Sequence, residues 1–304
     1  MTLYVSVIIL TKNAGSRFKN VLEALFNGKT DFGFEVIVVD SGSTDSTNTI
    51  TRDFPVKLIE IHPSSFGHGK TRNLAAGHSK GEVLAFLTQD AVPAGELWLS
   101  SLVKHFRDKK VSGVYGRQLP NADSTPLEKF FLDYLYPDKP VVKESIDAAD
   151  CLLSDMFFSN VNSAVRRSDW QDNMFNENLI MSEDQDWAKR MLQKGRKIIY
   201  EPEAAVYHSH SYSIPAIISR NFDSGMSLRG LVNAPAARGL RYEWRYLMSG
   251  FGFFAEKKLY RYMLIFPIYE CARALGFLLG FYSRFLPRPL RIWLSQNKVF
   301  WERA

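Results

Sequence analysis

The first ninety residues repeat one pattern: a short apolar run rich in β-branched residues, a polar turn, then a helical segment. The runs are Val5-Ser6-Val7-Ile8-Ile9-Leu10, Glu35-Val36-Ile37-Val38-Val39-Asp40, Val56 to Ile61, and Val83-Leu84-Ala85-Phe86-Leu87. Continuous apolar runs of this length suit strands buried on both faces. Between them, Phe18, Val21, Leu22 and Leu25 have helical spacing, and Thr71 to Ser79 reads as a further helix. Strand and helix in this alternation predict a parallel sheet with helices on both faces. Ligands of such sheets gather beyond the C-terminal ends of the strands.

Composition narrows the class. The 304 residues are 46% hydrophobic and 23% charged, which excludes collagen-like, disordered and coiled-coil chains. Cys151 and Cys271 lie far apart and outside any CxxC pattern, which argues against a disulfide framework and for a reducing cytosol. The start, Met1 to Val5, lacks the basic region and long apolar core of a signal peptide and reads as a cytoplasmic N-terminus. The net charge of +6 is unevenly spread: residues 241–304 carry a balance of +7 and 17 of the 41 aromatic residues, leaving the first 240 residues at −1. A near-neutral body, residues 1–235, is therefore joined to a basic, aromatic tail, residues 236–304.

Three polar segments sit at the expected strand ends: Thr11-Lys12-Asn13, Asp40-Ser41-Gly42-Ser43-Thr44-Asp45, and Thr88-Gln89-Asp90. No GxGxxG follows the first strand and no GxxxxGK[ST] occurs, so a Rossmann dinucleotide site and a P-loop are both disfavoured. Further on, Ser182-Glu183-Asp184-Gln185 reads as a capping box. Its helix runs through Trp187, Ala188 and Met191 to Lys194, with Gly195 as its stop. Asp184 then lies on the first turn, where the helix dipole favours an anion by about 0.3–1 kcal/mol. An ionised carboxylate held there is suited to act as a general base.

With these blocks the chain resembles the family 2 glycosyltransferases, which have the GT-A fold, a mostly parallel sheet with helices on both faces. The resemblance rests on Val7-Ile8-Ile9-Leu10-Thr11-Lys12-Asn13, Val38-Val39-Asp40-Ser41-Gly42-Ser43-Thr44-Asp45, Phe86-Leu87-Thr88-Gln89-Asp90 and Ser182-Glu183-Asp184. It covers roughly residues 4 to 215. Phe66-Gly67-His68-Gly69-Lys70-Thr71-Arg72-Asn73, with Thr88-Gln89-Asp90-Ala91, looks most like the bacterial rhamnosyltransferases that use dTDP-rhamnose.

The resemblance implies site roles. Asp40 accepts the N3–H of uracil or thymine; the alternative, that it merely caps the helix near Thr44, is disfavoured because Ser43 and Asp45 could cap equally well. Thr11 and Asn13 line the base and ribose pocket, and Lys70, Arg72, Asn73, Gln89 and Asp90 complete the donor site. A divalent metal, Mg²⁺ or Mn²⁺, neutralises the departing diphosphate. The family's DxD motif is replaced by Thr88-Gln89-Asp90, so one carboxylate is missing and the strength of metal binding is left open. Asp90 aligns with the metal-reaching acid. His208 is the second ligand, preferred to His210 because it directly follows an apolar–aromatic pair. Asp184 is the base of an inverting transfer, while Glu183, Asp186 and Asn162 support it or bind the acceptor.

Phe130 to Pro137 is rich in aromatics, which suit stacking on a sugar or, equally, core packing. The tail lacks an uncharged run of about 20 residues, because Glu270 and Arg273 interrupt its most apolar part, so a membrane span is disfavoured. Its mixture of aromatics with Lys257, Lys258, Arg261, Arg284, Arg288 and Arg291 suits short helices lying on a membrane surface, broken by Pro267, Pro287 and Pro289. A helical subdomain packed on the body, or a homo-oligomer contact, are the alternatives. Nucleic acid is disfavoured, since the basic residues alternate with large aliphatics. The resulting expectation is rhamnosyl transfer from dTDP-rhamnose to a polyprenyl diphosphate-linked glycan, as in O-antigen synthesis at the cytoplasmic face of the inner membrane. A UDP-hexose donor and a non-catalytic scaffold are the rivals.

Overall fold

The structure is a computed structural model that describes residues 3–147, 149–233 and 236–302. Met1 and Thr2, within the segment read as a cytoplasmic N-terminus, and residue 235, read as the end of the body, lie outside them. The strands are β1 Leu3–Thr11, β2 Gly33–Asp40, β3 Lys57–Glu60, β4 Val83–Thr88, β5 Val92–Pro93, β6 Val111–Leu119, β7 Val141–Lys143, β8 Asn162–Arg166 and β9 Lys197–Tyr207. Helices of the body are α1 Arg17–Phe26, α2 Thr47–Arg52, α3 His68–Gly77, α4 Trp98–Val103, α5 Pro126–Leu135, α6 Leu153–Met156, α7 Arg167–Asp172, α8 Glu183–Gln193 and α9 Ile214–Leu228. The tail adds α10 Ala236–Glu256, α11 Tyr260–Phe281, α12 Arg288–Leu294 and α13 Lys298–Trp301.

One sheet runs in the order β3-β2-β1-β4-β8-β6-β9-β5, with β7 beside β9. Its first half is the expected parallel set, with Thr11 opposite Asp40 at the shared C-terminal rim. The second half is mixed: β8 runs antiparallel to β4 and β6, whereas β6 and β9 are parallel. Successive strand residues point to opposite faces. Val7, Val38 and Ala85 meet Phe18, Leu22 and Leu102 on one face, and Ile8, Ile37 and Phe86 meet Ala75, Trp187 and Met191 on the other. Burial on both faces is why these runs are apolar throughout. Gly116 of β6 has a specific reason: a β-carbon there would lie 2.0 Å from the Ala204 carbonyl oxygen and 2.3 Å from the Asn162 amide nitrogen.

The tail departs from the expected short pieces. α10 and α11 are long, and Pro267 lies inside α11. A proline costs one helical hydrogen bond, but packing against α9 and α10 holds the helix on both sides of it. α11 is also long and apolar enough to cross a membrane by length and composition. The charges thought to break it are internally matched. Tyr246 donates to Glu270 at 3.1 Å, Arg273 lies 3.3 Å from Glu270, and the Arg273 guanidinium sits 4.4 Å over the Phe131 ring. One side of α11 is seated on α9, where Gly276 and Gly280 form a GxxxG pair. A β-carbon on Gly276 would lie 2.4 Å from the Ile218 carbonyl oxygen, and one on Gly280 would lie 1.9 Å from that of Phe222. The opposite side is exposed through Leu264, Ile268, Leu275 and Leu278, followed by Phe285 and Trp293. Phe130 of α5 is core: its ring packs on Tyr246, Phe254 and Phe266.

Candidate active site

The loops after β1 and β2 are clasped by Asp40. Its carboxylate accepts from the backbone N–H groups of Gly42 at 3.0 Å and Ser43 at 2.8 Å, from the hydroxyls of Thr11 and Ser43, and from Asn48 at 3.4 Å. Ser43 also accepts the Asn13 N–H, and Asn13, at φ +48°, accepts the Thr44 N–H at 2.8 Å. α2 begins only at Thr47, where Asp45 accepts both its N–H and its hydroxyl. Asp40 therefore shapes the loop, and Asp45 occupies the helix start.

The rim continues without a gap. Gln89 accepts the Lys12 N–H at 2.8 Å and donates to the Lys12 carbonyl, fastening the end of β4 to the end of β1. Thr88 donates its N–H to the Val161 carbonyl at 3.0 Å, and Asn160 donates its N–H to Asp184 at 2.9 Å. Asp40, Asp90 and Asp184 thus stand along one edge, joined by short hydrogen-bonded steps.

Next to Asp90 lie two histidines. His210 Nε2 is 3.2 Å and His208 Nε2 is 3.5 Å from the Asp90 carboxylate, and the two Nε2 atoms are 3.0 Å apart. The three donor atoms lie within 4.8 Å of one another, a grouping that fits a divalent cation. His208 Nδ1 faces Gln118 Oε1 at 2.9 Å, so that nitrogen carries the hydrogen and Nε2 keeps its lone pair for a metal. Burial lowers the His208 imidazole to about 4, which keeps it neutral. Burial works against the charge on Asp90, yet the hydrogen bond from His210 and the field of both histidines hold its carboxyl well below the usual carboxylate range. His210 would add a donor atom where the truncated DxD motif lacks a carboxylate.

Asp184 differs from its expectation. Ser182 adopts a left-handed conformation, φ +65°, instead of the extended one from which a capping side chain reaches the first turn, and its hydroxyl makes no cap bond. The Asp184 carboxylate accepts the N–H of Gln185 at 2.9 Å in addition to that of Asn160. It does not keep an ordinary carboxylate acidity. Burial, helped by the adjacent Glu183 charge, pushes it up to about 7 against the opposing pull of Arg72 and the two N–H groups. Glu183 is buried and ion-paired with Arg72 at 2.5 Å, with the Asn160 amide at 3.5 Å.

Asn73, Asn162, Asp186 and Arg72, also expected at the site, are engaged by other groups of the protein. Asn73 donates to the Phe175 carbonyl and to Glu177 and accepts from Trp170 and Phe175, which occupies all four positions of its amide. Asn162 is buried at the start of β8, donating to the Ala204 carbonyl at 2.7 Å and accepting from Trp98 at 2.9 Å. Asp186 pairs with Arg190. Lys70 is exposed on the first turn of α3. Arg72 is spent on Glu183, away from the solvent. Conversely, Asn160 and Gln118, which contact Asp184 and His208, were not among the expected residues, and His210 was placed second to His208. For His210 the signal was present: in extended chain, positions 208 and 210 share a side.

The amino-acid sequence matches the family model described as "Glycosyl transferase family 2" over residues 6–172, more than half of the chain. The chain belongs to glycosyl transferase family 2. This glycosyltransferase is 33% identical over 309 residues to the O-antigen chain rhamnosyltransferase RfbN of Salmonella typhimurium, an alignment that covers 98% of this chain and 96% of that protein. It is 32% identical to the O-antigen chain rhamnosyltransferase WbaN of Salmonella anatum, covering 97% of this chain and 95% of that one. Among solved structures, the mannosyltransferase PcManGT of Pyrobaculum calidifontis, in complex with GDP-Man and Mn²⁺, superposes with a TM-score of 0.56 at 17% identity. That superposition covers 97% of this chain and 84% of that one, and it shows a shared GT-A fold.

Proposed function

We propose that this glycosyltransferase moves L-rhamnose from dTDP-rhamnose to a polyprenyl diphosphate-linked glycan during O-antigen synthesis, with inversion at the anomeric carbon. The near full-length similarity to two O-antigen chain rhamnosyltransferases supports the donor and the pathway. The observation that carries the chemistry is the hydrogen-bonded rim from Asp40 through Asp90 to Asp184.

In this reading the oriented Asp40 carboxylate accepts the thymine N3–H, displacing Asn48, its most distant donor. Thr11 and Asn13 shape the pocket for base and ribose. Asp184, ionised, takes the proton of the acceptor hydroxyl while that oxygen bonds to the anomeric carbon and the bond to the dTDP oxygen breaks. Burial of Asp184 raises its basicity toward neutral pH, where a general base is most effective. A cation held by Asp90, His208 and His210 would neutralise the departing diphosphate, and a carboxylate with two imidazoles suits Mn²⁺ better than Mg²⁺. The exposed apolar side of α11, with Phe285, Trp293, Arg284, Arg288 and Arg291, rests on the cytoplasmic leaflet and brings the site to its lipid-linked acceptor.

A donor screen tests this directly. Purified protein with a lipid-linked acceptor is offered dTDP-rhamnose, UDP-glucose or UDP-N-acetylglucosamine, with Mn²⁺, Mg²⁺ or chelator. Transfer from dTDP-rhamnose alone, strongest with Mn²⁺, is expected. Transfer from a UDP-sugar overturns the donor assignment, and no transfer from any donor favours a scaffold.

A further inference from the structure

α10 presents three arginines along one edge: Arg238, Arg241 and Arg245, at helical spacings of three and four that put them on a common face. With Leu152, Ser154 and Tyr242 they line a cavity of about 260 Å³. That is below the roughly 300–1,000 Å³ of pockets for drug-sized ligands and suits a compact charged group. Arg238 is an anchor, since its guanidinium donates to Asp150 at 2.7 Å and to Asp155 at 3.0 Å, tying α10 to the segment that leads into α6. Arg241 and Arg245 are exposed and, among the described residues, have no carboxylate within ion-pair distance. Two guanidinium groups thus line the cavity with no ion pair among the described residues, and a guanidinium fork matches phosphate oxygens.

The adjoining face of α10 has the opposite character. Leu240, Trp244 and Met248 follow one another at intervals of four and are 71%, 64% and 45% exposed. Cationic cavity and apolar stripe on neighbouring faces of one helix complement an amphiphile with a diphosphate head and a hydrocarbon chain. The location is also apt. Asn160, which holds Asp184, lies only eight positions along the chain from Leu152 at the cavity, a reach of at most about 29 Å. α6, between them, packs against α8.

We infer that the α10 cavity seats the diphosphate of the lipid-linked acceptor on Arg241 and Arg245, with the prenyl chain along Leu240, Trp244 and Met248. This rests on the lipid-linked acceptor proposed above and gives it a site. The same chemistry is offered by anionic phospholipid headgroups, and the test separates the two sources.

Farnesyl diphosphate serves as the probe, titrated calorimetrically into the full chain with chelator present and dTDP saturating the donor site. The wild-type protein is expected to bind it, R241A/R245A to bind at least tenfold more weakly, and R241K/R245K, which keeps the charge but loses the fork, to fall between the two. An unchanged thermal midpoint confirms that the alanine variant is folded. Farnesol binding as tightly as farnesyl diphosphate, or undiminished binding by R241A/R245A, overturns the inference. So does an equal loss on phosphatidylglycerol vesicles free of prenyl diphosphate, which would assign the arginines to headgroups. The titration involves no turnover, so its outcome is separable from that of the donor screen.

Discussion

Asp184 accepts the backbone N–H of Asn160 at 2.9 Å, and this contact ties the first turn of α8 to the segment that enters β8 beside β4. β4 ends at Thr88 and Gln89-Asp90 follow it, so the position of Asp184 is set by the same strand ends that carry Asp90. A backbone donor cannot rotate away as a side chain can. Asp184 is therefore held in place by the sheet itself.

The raised acidity constant of Asp184 gives a pH signature. Ionisation is required for proton abstraction, so kcat/KM should climb about tenfold per pH unit below about 7 and level off above it. Burial holds the nearby Tyr136 phenol above its usual range, so it does not titrate in this window, while the Glu183 charge beside Asp184 helps to set its value. Stability runs the other way. A carboxyl whose folded value is raised stabilises fully below the unfolded value of 3.8, and that contribution is lost as pH rises through about 7. Asp184→Asn should gain thermal stability relative to wild type between pH 5 and pH 8. A flat rate profile across pH 6 to 8 contradicts the assignment.

Arg72 and Glu183 form a buried pair that should be sensitive to loss of one partner. Arg72→Ala leaves a buried carboxylate without its cation, at a cost of about 3–5 kcal/mol in denaturant unfolding. The double variant R72M/E183Q should lose much less, because neither partner is left charged.

Gln118 fixes the tautomer of His208 without touching the expected cation. Gln118→Leu should weaken Mn²⁺ binding about 10–100-fold while leaving dTDP affinity in chelator unchanged. His210→Ala should weaken Mn²⁺ binding as well. Unaltered metal affinity in both variants would remove Asp90, His208 and His210 as the metal site.

The seating of α11 on α9 depends on two close glycines. Gly280→Val drives side-chain atoms into the Phe222 carbonyl and should cost about 1–3 kcal/mol or more, with release of the tail to protease. Gly252→Ala, also in a tail helix but with open space around it, should instead be neutral or stabilising by about 0.4–1 kcal/mol.

The parallel half of the sheet was legible because each strand is buried on both faces and reads as an unbroken apolar run. β6 was not, since Gly113 and Gly116 interrupt it, and Glu201-Pro202-Glu203 breaks the run of β9. Their irregularities answer to tertiary partners: Asn162 lies across Gly116, and Glu201 is matched by Lys104 and His105. The same limit governs the site. Asp40, Asp90 and Asp184 follow strand ends and a helix start, which local pattern marks. Asn73 and Asn162 look equally polar in sequence, and only the fold shows their amides spent on Trp170 and Trp98. Pro267 misled because helix breaking is a local tendency that packing against α9 overrides.

The central claim is that Asp184 removes the acceptor proton. Single-turnover measurement of Asp184→Asn with dTDP-rhamnose, Mn²⁺ and a lipid-linked acceptor tests it most directly, with donor binding followed in parallel. Turnover should fall about 10²–10⁴-fold while dTDP-rhamnose affinity stays within about twofold. A variant that keeps turnover within a few-fold of wild type would contradict the claim.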